Sequence, residues 1–284
     1  MFSYLGGKKF QAKWISGYFP KHDTYVEPFG GAFWVYFVGN INANNNVYND
    51  YNRYLTNVFH CAKNNRSEFI KQLKSYKPQL RNLFEKFHNE LVPLTYDLEL
   101  GDVETASKYM YIETQTFSGL TIEKAKFVDL KGIYKSKYEQ FIDKLENPKY
   151  TNKIDNITNI ENLSYADCIK KYDSKYTFFY CDPPYFVNTL LPEKLKLYDN
   201  NFTKQDHEKF AQTCKSSPHK ICISYDDCPE IREIYNKIGF NIHEESWTYG
   251  GTSSAKSIEN HIYMDEDKEI VKKKVGKELV ITNY

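Results

Sequence analysis

The sequence predicts an α/β protein in which a mostly parallel sheet is interrupted by a long, mostly helical insertion. Two observations indicate this architecture. Short apolar or β-branched runs that end in turn residues alternate with helical stretches near both ends of the chain. The polar stretch from about 64 to 162 contains helical segments but few clear strands. Because it is too long for one loop of a compact domain, we expect a second lobe there.

Six runs are predicted to be strands because β-branched and aromatic residues dominate them. They are residues 25–27, 47–49, 177–181, 221–225, 240–243 and 278–282. Helices are predicted at 9–18, 52–63, 68–76, 105–116, 203–215 and 230–237. Thr203 and Asp206 form a capping box at the start of one helix, and Pro229 occupies the first turn of another. The charge-rich residues 264–274 predict an extension or hairpin within 254–277.

Composition and charge restrict the class of protein. The hydrophobic fraction of 41% is typical of a globular protein, and six cysteines without a CxxC pair predict buried, reduced thiols and no metal site. The net charge of +1 conceals a basic segment, residues 61–88, with seven basic residues against two acids. That segment can contact phosphates, although charge alone favours an ordinary solvated surface. The sequence shows no signal peptide or membrane span, so we expect a cytoplasmic protein.

The strongest single motif is Asp182-Pro183-Pro184-Tyr185, which directly follows a predicted apolar strand. It is therefore expected at the carboxyl edge of the sheet, where open α/β folds bind their ligands. A carboxylate beside a carbonyl that prolines hold rigid can accept both hydrogens of an exocyclic amine. The tyrosine offers a face on which a base can stack. An ordinary strand-ending turn explains the tetrapeptide equally well when it is considered alone.

A second strand runs into the turn Glu27-Pro28-Phe29-Gly30-Gly31. Its two glycines allow a cofactor to approach the backbone, and the following helix N-terminus can face a carboxylate. A Gly-Gly turn alone is weak evidence, and a purely structural role is the commoner explanation. Asp50 ends the next strand some 20 residues later, a spacing that suits a carboxylate binding ribose hydroxyls. A helix N-cap is the alternative role for Asp50.

Taken together, these motifs resemble the Dam-like (D12 class, α-group) adenine-N6 DNA methyltransferases. The matching segments occur in that family's order, and they are Tyr4-Leu5-Gly6-Gly7-Lys8, residues 27–32, Asn49-Asp50, Ser164-Tyr165-Ala166-Asp167, Asp182-Pro183-Pro184-Tyr185, residues 223–225 and residues 278–284. The resemblance implies a Rossmann-like, S-adenosylmethionine (SAM)-dependent methyltransferase sheet made from residues 1–60 and 161–284. Residues 61–160 are then an inserted, mostly helical DNA-recognition lobe.

The resemblance also implies roles for individual residues. The residues expected to bind SAM are Tyr4, Lys8, Glu27, Phe29, Gly30, Gly31, Asp50, Asp167 and Asp182. The residues expected to act on the target adenine are Asp182, Pro183, Pro184 and Tyr185. Of these, Asp182 and the Pro183 carbonyl orient the amine, and Tyr185 stacks on the flipped base. The implied partner is double-stranded DNA, and methyl transfer by in-line displacement requires no metal.

The segment Phe117-Ser118-Gly119-Leu120 resembles that family's Asn-Gly turn. Two differences separate this chain from the members that methylate GATC: it lacks their Asn-Val-Pro-Phe/Tyr-Gly-Arg stretch, and Tyr249-Gly250-Gly251-Thr252 stands where related chains have a Ser/Asn/Gly run. They favour another recognition sequence, as in bacterial, phage or mobile-element enzymes of restriction-modification systems. Two other functions stay open. The same fold can act on another amine, such as cytosine N4, RNA or glutamine, although an aspartate at position 182 favours adenine. A catalytically weak DNA-binding relative is the second, and the oligomeric state is either a monomer or a weak dimer.

Overall fold

The computed structural model describes residues 1–2, 4, 6–94, 98–116, 122–128, 136–186, 202–248 and 275–284. The described strands are β1 (Thr24–Glu27), β2 (Asn45–Asn49), β3 (Asn159–Glu161), β4 (Thr177–Cys181), β5 (Lys220–Asp226), β6 (Asn241–Thr248) and β7 (Val275–Thr282). The described α-helices are α1 (Ala12–Ser16), α2 (Trp34–Val38), α3 (Arg53–Asn64), α4 (Arg66–Ser75), α5 (Arg81–Leu91), α6 (Val103–Gln115), α7 (Lys137–Glu146), α8 (Pro148–Asp155), α9 (Tyr165–Lys171), α10 (Lys204–Ser216) and α11 (Pro229–Lys237).

The strands form one seven-stranded sheet in the order β3-β2-β1-β4-β5-β7-β6. Strands β1 to β5 run parallel to one another, whereas β7 is antiparallel to both of its neighbours, β5 and β6. The order reverses at β1, which pairs with β2 on one side and with β4 on the other. Such a reversal opens a crevice at the carboxyl ends of the two central strands, β1 and β4. The predicted Rossmann-like α/β sheet is confirmed.

Helices cover both faces of the sheet. Side chains alternate along the central strands, so Tyr25 and Phe178 belong to one apolar core and Val26 and Phe179 to the other. Helices α9, α10 and α11 pack on the second of these cores. The first core is larger, and it continues from the sheet through α1 and α2 into the helices that follow β2.

The insertion between β2 and β3 shares that larger core with the sheet. Within the described part of residues 53–155 the regular elements are helices, as predicted for this stretch. Phe59 on α3 packs against Tyr48 of β2, with ring centroids 4.1 Å apart. Phe141 on α7 packs against Phe69 of α4 and against Phe2. The helical lobe therefore buries its apolar side chains together with one face of the sheet.

The predictions cover six of the seven described strands, but they leave out several helices, among them α5 and α7 of the helical lobe. All six predicted strands are present, with ends that differ by a few residues. Helix α1 is shorter than the predicted 9–18. Strand β3 was missed because it has three residues, two of which, Asn159 and Glu161, have low strand propensity. Residues 117–120, 249–252 and 254–274, which carried predictions, lie outside the described residues.

Candidate active site

Hydrogen bonds from two backbone amides join the turn after β1 to the end of β2. The Gly30 amide donates to the Asn49 carbonyl at 2.7 Å, and the Gly31 amide donates to Asp50 Oδ2 at 2.7 Å. Asp50 Oδ1 accepts from the Asn52 amide at 2.8 Å. The proposed N-cap role of Asp50 is wrong, because Asn52 caps α3 through its side chain. Asp50 instead joins the β1 turn to the β2 turn.

Glycine is required at positions 30 and 31 of this turn for two different reasons. A Cβ at Gly30 would overlap the Tyr48 ring, so this glycine is required by packing. Gly31 has φ +48°, a left-handed conformation that favours glycine, and a Cβ there would lie 3.4 Å from the Tyr4 ring. Tyr4, Gly31 and Asp50 are therefore brought together at the carboxyl ends of β1 and β2.

Asp182 is held in place by two side chains at the carboxyl end of β4. The Lys8 ammonium lies 2.7 Å from each carboxylate oxygen, and it also donates to the Gly6 carbonyl at 2.8 Å. The Ser224 hydroxyl on β5 donates to Asp182 Oδ1 at 2.8 Å. Because Lys8 is the one hydrogen-bond donor to Oδ2 among the described residues, a lone pair of that oxygen is left for a further donor.

Tyr185 is positioned by contacts at both ends of its side chain. Its hydroxyl donates a hydrogen bond to the Glu278 carboxylate on β7, and the Lys8 ammonium lies 4.6 Å from the centre of its ring. The next residue, Phe186, donates its amide to Asp226 Oδ1 at 3.0 Å. These contacts fix the ring beside Asp182, at the edge of the crevice.

Burial and neighbouring charge determine the protonation of this cluster. Burial alone lowers the pKa of the Lys8 ammonium, but the charges of Asp182 and Glu278 outweigh it and raise that pKa above its ordinary value. Burial raises the pKa of Glu278 to about 7, with Lys8 opposing and Asp182 reinforcing the shift. Burial likewise raises the pKa of Asp50 to about 6, although two backbone amides oppose the shift. Lys8 is therefore the cation that balances a buried group of acids.

Three predicted cofactor residues make mainly structural contacts. Glu27 is buried and accepts a hydrogen bond from the Tyr25 hydroxyl at 2.5 Å, and burial raises its pKa well above the ordinary value. The Phe29 ring stacks on Tyr165 with centroids 5.5 Å apart. Asp167 is exposed on the first turn of α9, where it bonds to the N-cap residue of that helix. Their role towards a cofactor stays a prediction.

The sequence did not assign Ser224, Asp226 and Glu278 to the site. Ser224 and Asp226 come from β5, which pairs with β4, and Glu278 comes from β7, which pairs with β5 on its other side. One signal was available, since Glu278 is an acid that opens an apolar strand and Asp226 ends another strand at the same edge. Acids in such positions are candidates for a ligand-binding edge.

Comparison with known proteins agrees with this geometry. A family model described as D12 class N6 adenine-specific DNA methyltransferase matches residues 4–250. The chain belongs to this family. The family match therefore agrees with the resemblance that the order of the sequence motifs indicated. The methyltransferase acts on adenine N6 in DNA.

Three curated relatives are similar over most of this methyltransferase. The type II methyltransferase M1.LlaDCHI of Lactococcus lactis subsp. cremoris is 26% identical over 89% of this chain and 90% of its own length. The type II methyltransferase M.CviBI of Paramecium bursaria Chlorella virus NC1A is 24% identical, over 86% of this chain and 89% of its own. The DNA N-6-adenine-methyltransferase of Escherichia phage P1 is 26% identical over 85% of this chain and 32% of its own.

Two further features of the methyltransferase concern metals and membranes. Within the described residues, His, Cys, Asp and Glu side chains form no group of three or more that could hold a metal ion. None of the described helices has the length and apolar character needed to cross a bilayer. All six cysteines are free thiols, and five of them are buried, as predicted.

Proposed function

We propose that this methyltransferase transfers a methyl group from SAM to the N6 amine of an adenine flipped out of double-stranded DNA. The observation that carries the proposal is the arrangement of Asp182 and Tyr185 at the crevice beside the carboxyl ends of β1 and β4. Asp182 has a lone pair available on Oδ2, and the Tyr185 ring is fixed beside it. An acceptor for amine hydrogens next to an aromatic face is the chemistry that a flipped adenine requires.

The crevice fits SAM as the methyl donor. Asp50 lies at the carboxyl end of β2, the position from which a carboxylate binds ribose hydroxyls in sheets of this order. Tyr4 provides an aromatic surface beside Gly31. The acids Asp182 and Glu278 suit a ligand that carries a positive sulfonium. When bound, SAM supplies an activated methyl group.

The protein's own contribution is orientation and charge. Asp182 and the Pro183 carbonyl accept the hydrogens of the target amine and aim its lone pair, while Pro184 keeps the turn rigid. Lys8 and Ser224 hold the Asp182 carboxylate so that it need not reorganise during the reaction. Tyr185 stacks on the flipped base, and Glu278 fixes the ring through its hydroxyl.

The remaining assignments follow from the division of the chain. We assign SAM binding and catalysis to residues 1–60 and 161–284, and DNA recognition to 61–160. The basic residues of the helical lobe support the second assignment, because they can contact phosphates. A role in restriction-modification is supported by the relatives that are named type II methyltransferases.

The test is to incubate the protein with radiolabelled SAM and unmethylated genomic DNA and then to identify the labelled base. We expect N6-methyladenine from the wild type. The Asp182→Asn variant keeps the size of the side chain but loses the negative charge and turns one acceptor into a donor, so its kcat should fall by about 10²-fold or more. Asp155→Asn is the matched control, since Asp155 forms a partly exposed surface ion pair with Arg66.

Label on cytosine, on RNA or on protein instead of adenine would contradict the proposal. So would an Asp182→Asn variant that methylates at the wild-type rate. SAM affinity, measured separately by calorimetry, distinguishes a loss of cofactor binding from a loss of the chemical step.

A further inference from the structure

Trp34 lies beside the proposed crevice, at the point where three parts of the chain meet. It is the first residue of α2, and its indole Nε1 donates to the Phe2 carbonyl at 2.8 Å. A Cβ at Gly7 would lie 3.0 Å from the indole ring, so Trp34 packs directly against the residue that precedes Lys8. The indole is 6% exposed, which makes it a fixed platform for groups placed on it.

Two lysines from different parts of the chain converge on this indole. The Lys9 ammonium lies 5.2 Å from the ring centre, and it comes from the segment that also supplies Lys8. The Lys144 ammonium lies 5.4 Å from the same ring, and it comes from the last turn of α7 in the helical lobe. A cation over a tryptophan face is stabilised by the ring, so the indole contributes to holding both ammonium groups.

This pair is electrostatically unbalanced. Among the described residues, no carboxylate forms an ion pair with either lysine. Burial and the charge of Lys9 lower the pKa of Lys144 to about 8, and the charge of Asp143 opposes the shift only in part. Like charges placed together beside a proposed active site mark a candidate anion site, because a bound anion relieves their repulsion.

We propose that Lys9 and Lys144 grip one phosphate of the DNA backbone next to the flipped nucleotide. This inference rests on the proposed function. A phosphodiester has two unesterified oxygens, so one group can accept hydrogen bonds from both ammonium ions. Lys9 belongs to the catalytic segment and Lys144 to the helical lobe. By binding the same phosphate, they would hold the DNA strand in place while its base leaves the stack.

DNA fits this site better than the carboxylate of SAM does. Lys9 is exposed, and its neighbour Phe10 is 90% exposed, so this edge faces outward from the crevice. The residues expected to bind SAM, such as Asp50 and Gly31, lie around the β1 and β2 turns. The two sources share one chemistry, an oxyanion, and the experiment separates them.

The experiment measures binding of unmethylated genomic duplex fragments over a series of salt concentrations, in the presence of S-adenosylhomocysteine. We expect Lys9→Gln and Lys144→Gln each to reduce the slope of log K against log salt by about 1, the loss of one phosphate contact. The double variant should lose less than the two single losses combined, because both lysines hold the same phosphate. Lys171→Gln is the control, since Lys171 is already paired with Glu161 at 2.7 Å.

The outcomes are separable. Unchanged DNA binding in both variants would overturn the inference, and so would a fall in SAM affinity with unchanged DNA binding, which would assign the site to the cofactor. Lys144→Arg keeps the charge and should retain DNA binding, which separates loss of the phosphate contact from misfolding. If the wild type fails to methylate adenine, the proposed function fails; if it methylates and the variants bind DNA normally, only the phosphate grip fails.

Discussion

Lys8 shows how one residue can serve several partners at a buried edge. It pairs with Asp182 at 2.7 Å, lies 3.8 Å from Glu278 and contacts the Tyr185 ring. A buried cation is stable only when it is paired, and a buried cluster of acids has the same requirement. Lys8 therefore supports the site through charge balance as much as through any direct contact with a ligand.

Glu113 on α6 provides a residue-level prediction. Its carboxyl is buried, its Oε1 has no hydrogen-bond partner among the described residues, and burial raises its pKa to about 8, with Lys137 opposing. Because the folded-state pKa is raised, the protonated Glu113 carboxyl contributes fully to the stability of the fold below pH 4.5. This contribution is lost as pH rises through 8. Glu113→Gln removes this loss. We expect the stability of the variant relative to the wild type to rise by roughly 4 kcal/mol between pH 5 and pH 9.

Urea unfolding of both proteins at the two pH values measures this difference. Glu85→Gln is the control, because it makes the same change of side chain at an exposed position on α5. An equal free energy of unfolding for wild type and Glu113→Gln at both pH values would show that Glu113 is ionised without cost.

The residues of the site divide by how they could be predicted. Asp182 and Tyr185 stand in one short motif after an apolar strand, so their position follows from local sequence. Ser224 and Glu278 reach the same site from β5 and β7, and only the strand order brings them to Asp182 and Tyr185. The role of Asp50 depended on which residue caps α3, and a sequence that offers Asp50 and Asn52 two positions apart does not decide that.

At the scale of elements, helix α10 shows a signal that local sequence does contain. The Thr203 side chain accepts from the Asp206 amide, and the Asp206 side chain accepts from the Thr203 amide, which is the capping box that the sequence predicted. Such a box satisfies amides that no helical carbonyl can reach. Elements without local signals of this kind, such as the three-residue β3, form because a neighbouring strand pairs with them.

We expect Thr203→Ala to lower the free energy of unfolding by about 1 kcal/mol, because the variant leaves amides of the first turn without partners. Thr213→Ala lies within the same helix and removes no cap, so it should leave stability nearly unchanged. Chemical denaturation followed by circular dichroism compares the two. Equal losses in both variants would mean that the box contributes nothing to α10.

For the whole molecule, the shared core decides how the protein unfolds. Phe141 is fully buried in the helical lobe, and it belongs to the same core as Tyr25 and Phe178 of the sheet. Sequence alone indicated an inserted lobe, but it could not show whether that lobe has a core of its own. Contacts between side chains far apart in the sequence, such as those within this core, follow from the three-dimensional fold and not from local sequence.

Phe141→Ala should destabilise the entire protein by about 3–5 kcal/mol, since it leaves a cavity in the common core. We expect a single unfolding transition that moves to lower urea concentration, with far-UV circular dichroism and tryptophan fluorescence in agreement. Leu94→Ala is the control, because Leu94 is 38% exposed. Two separate transitions, with only one of them shifted, would show that lobe and sheet unfold independently.

The pairing of β1 with β4 also has a consequence for the rate of folding. Val26 pairs with Phe179, so this ladder closes a segment of roughly 150 residues, and ladders that join distant residues form slowly. Val47 on β2 pairs with Asn159 on β3, so the chain leaves the sheet after β2, passes through the helical lobe and re-enters the sheet at the neighbouring strand. Their local contacts can form early and shorten the effective loop. We therefore expect the helical lobe to govern how quickly the two strands at the centre of the sheet find each other.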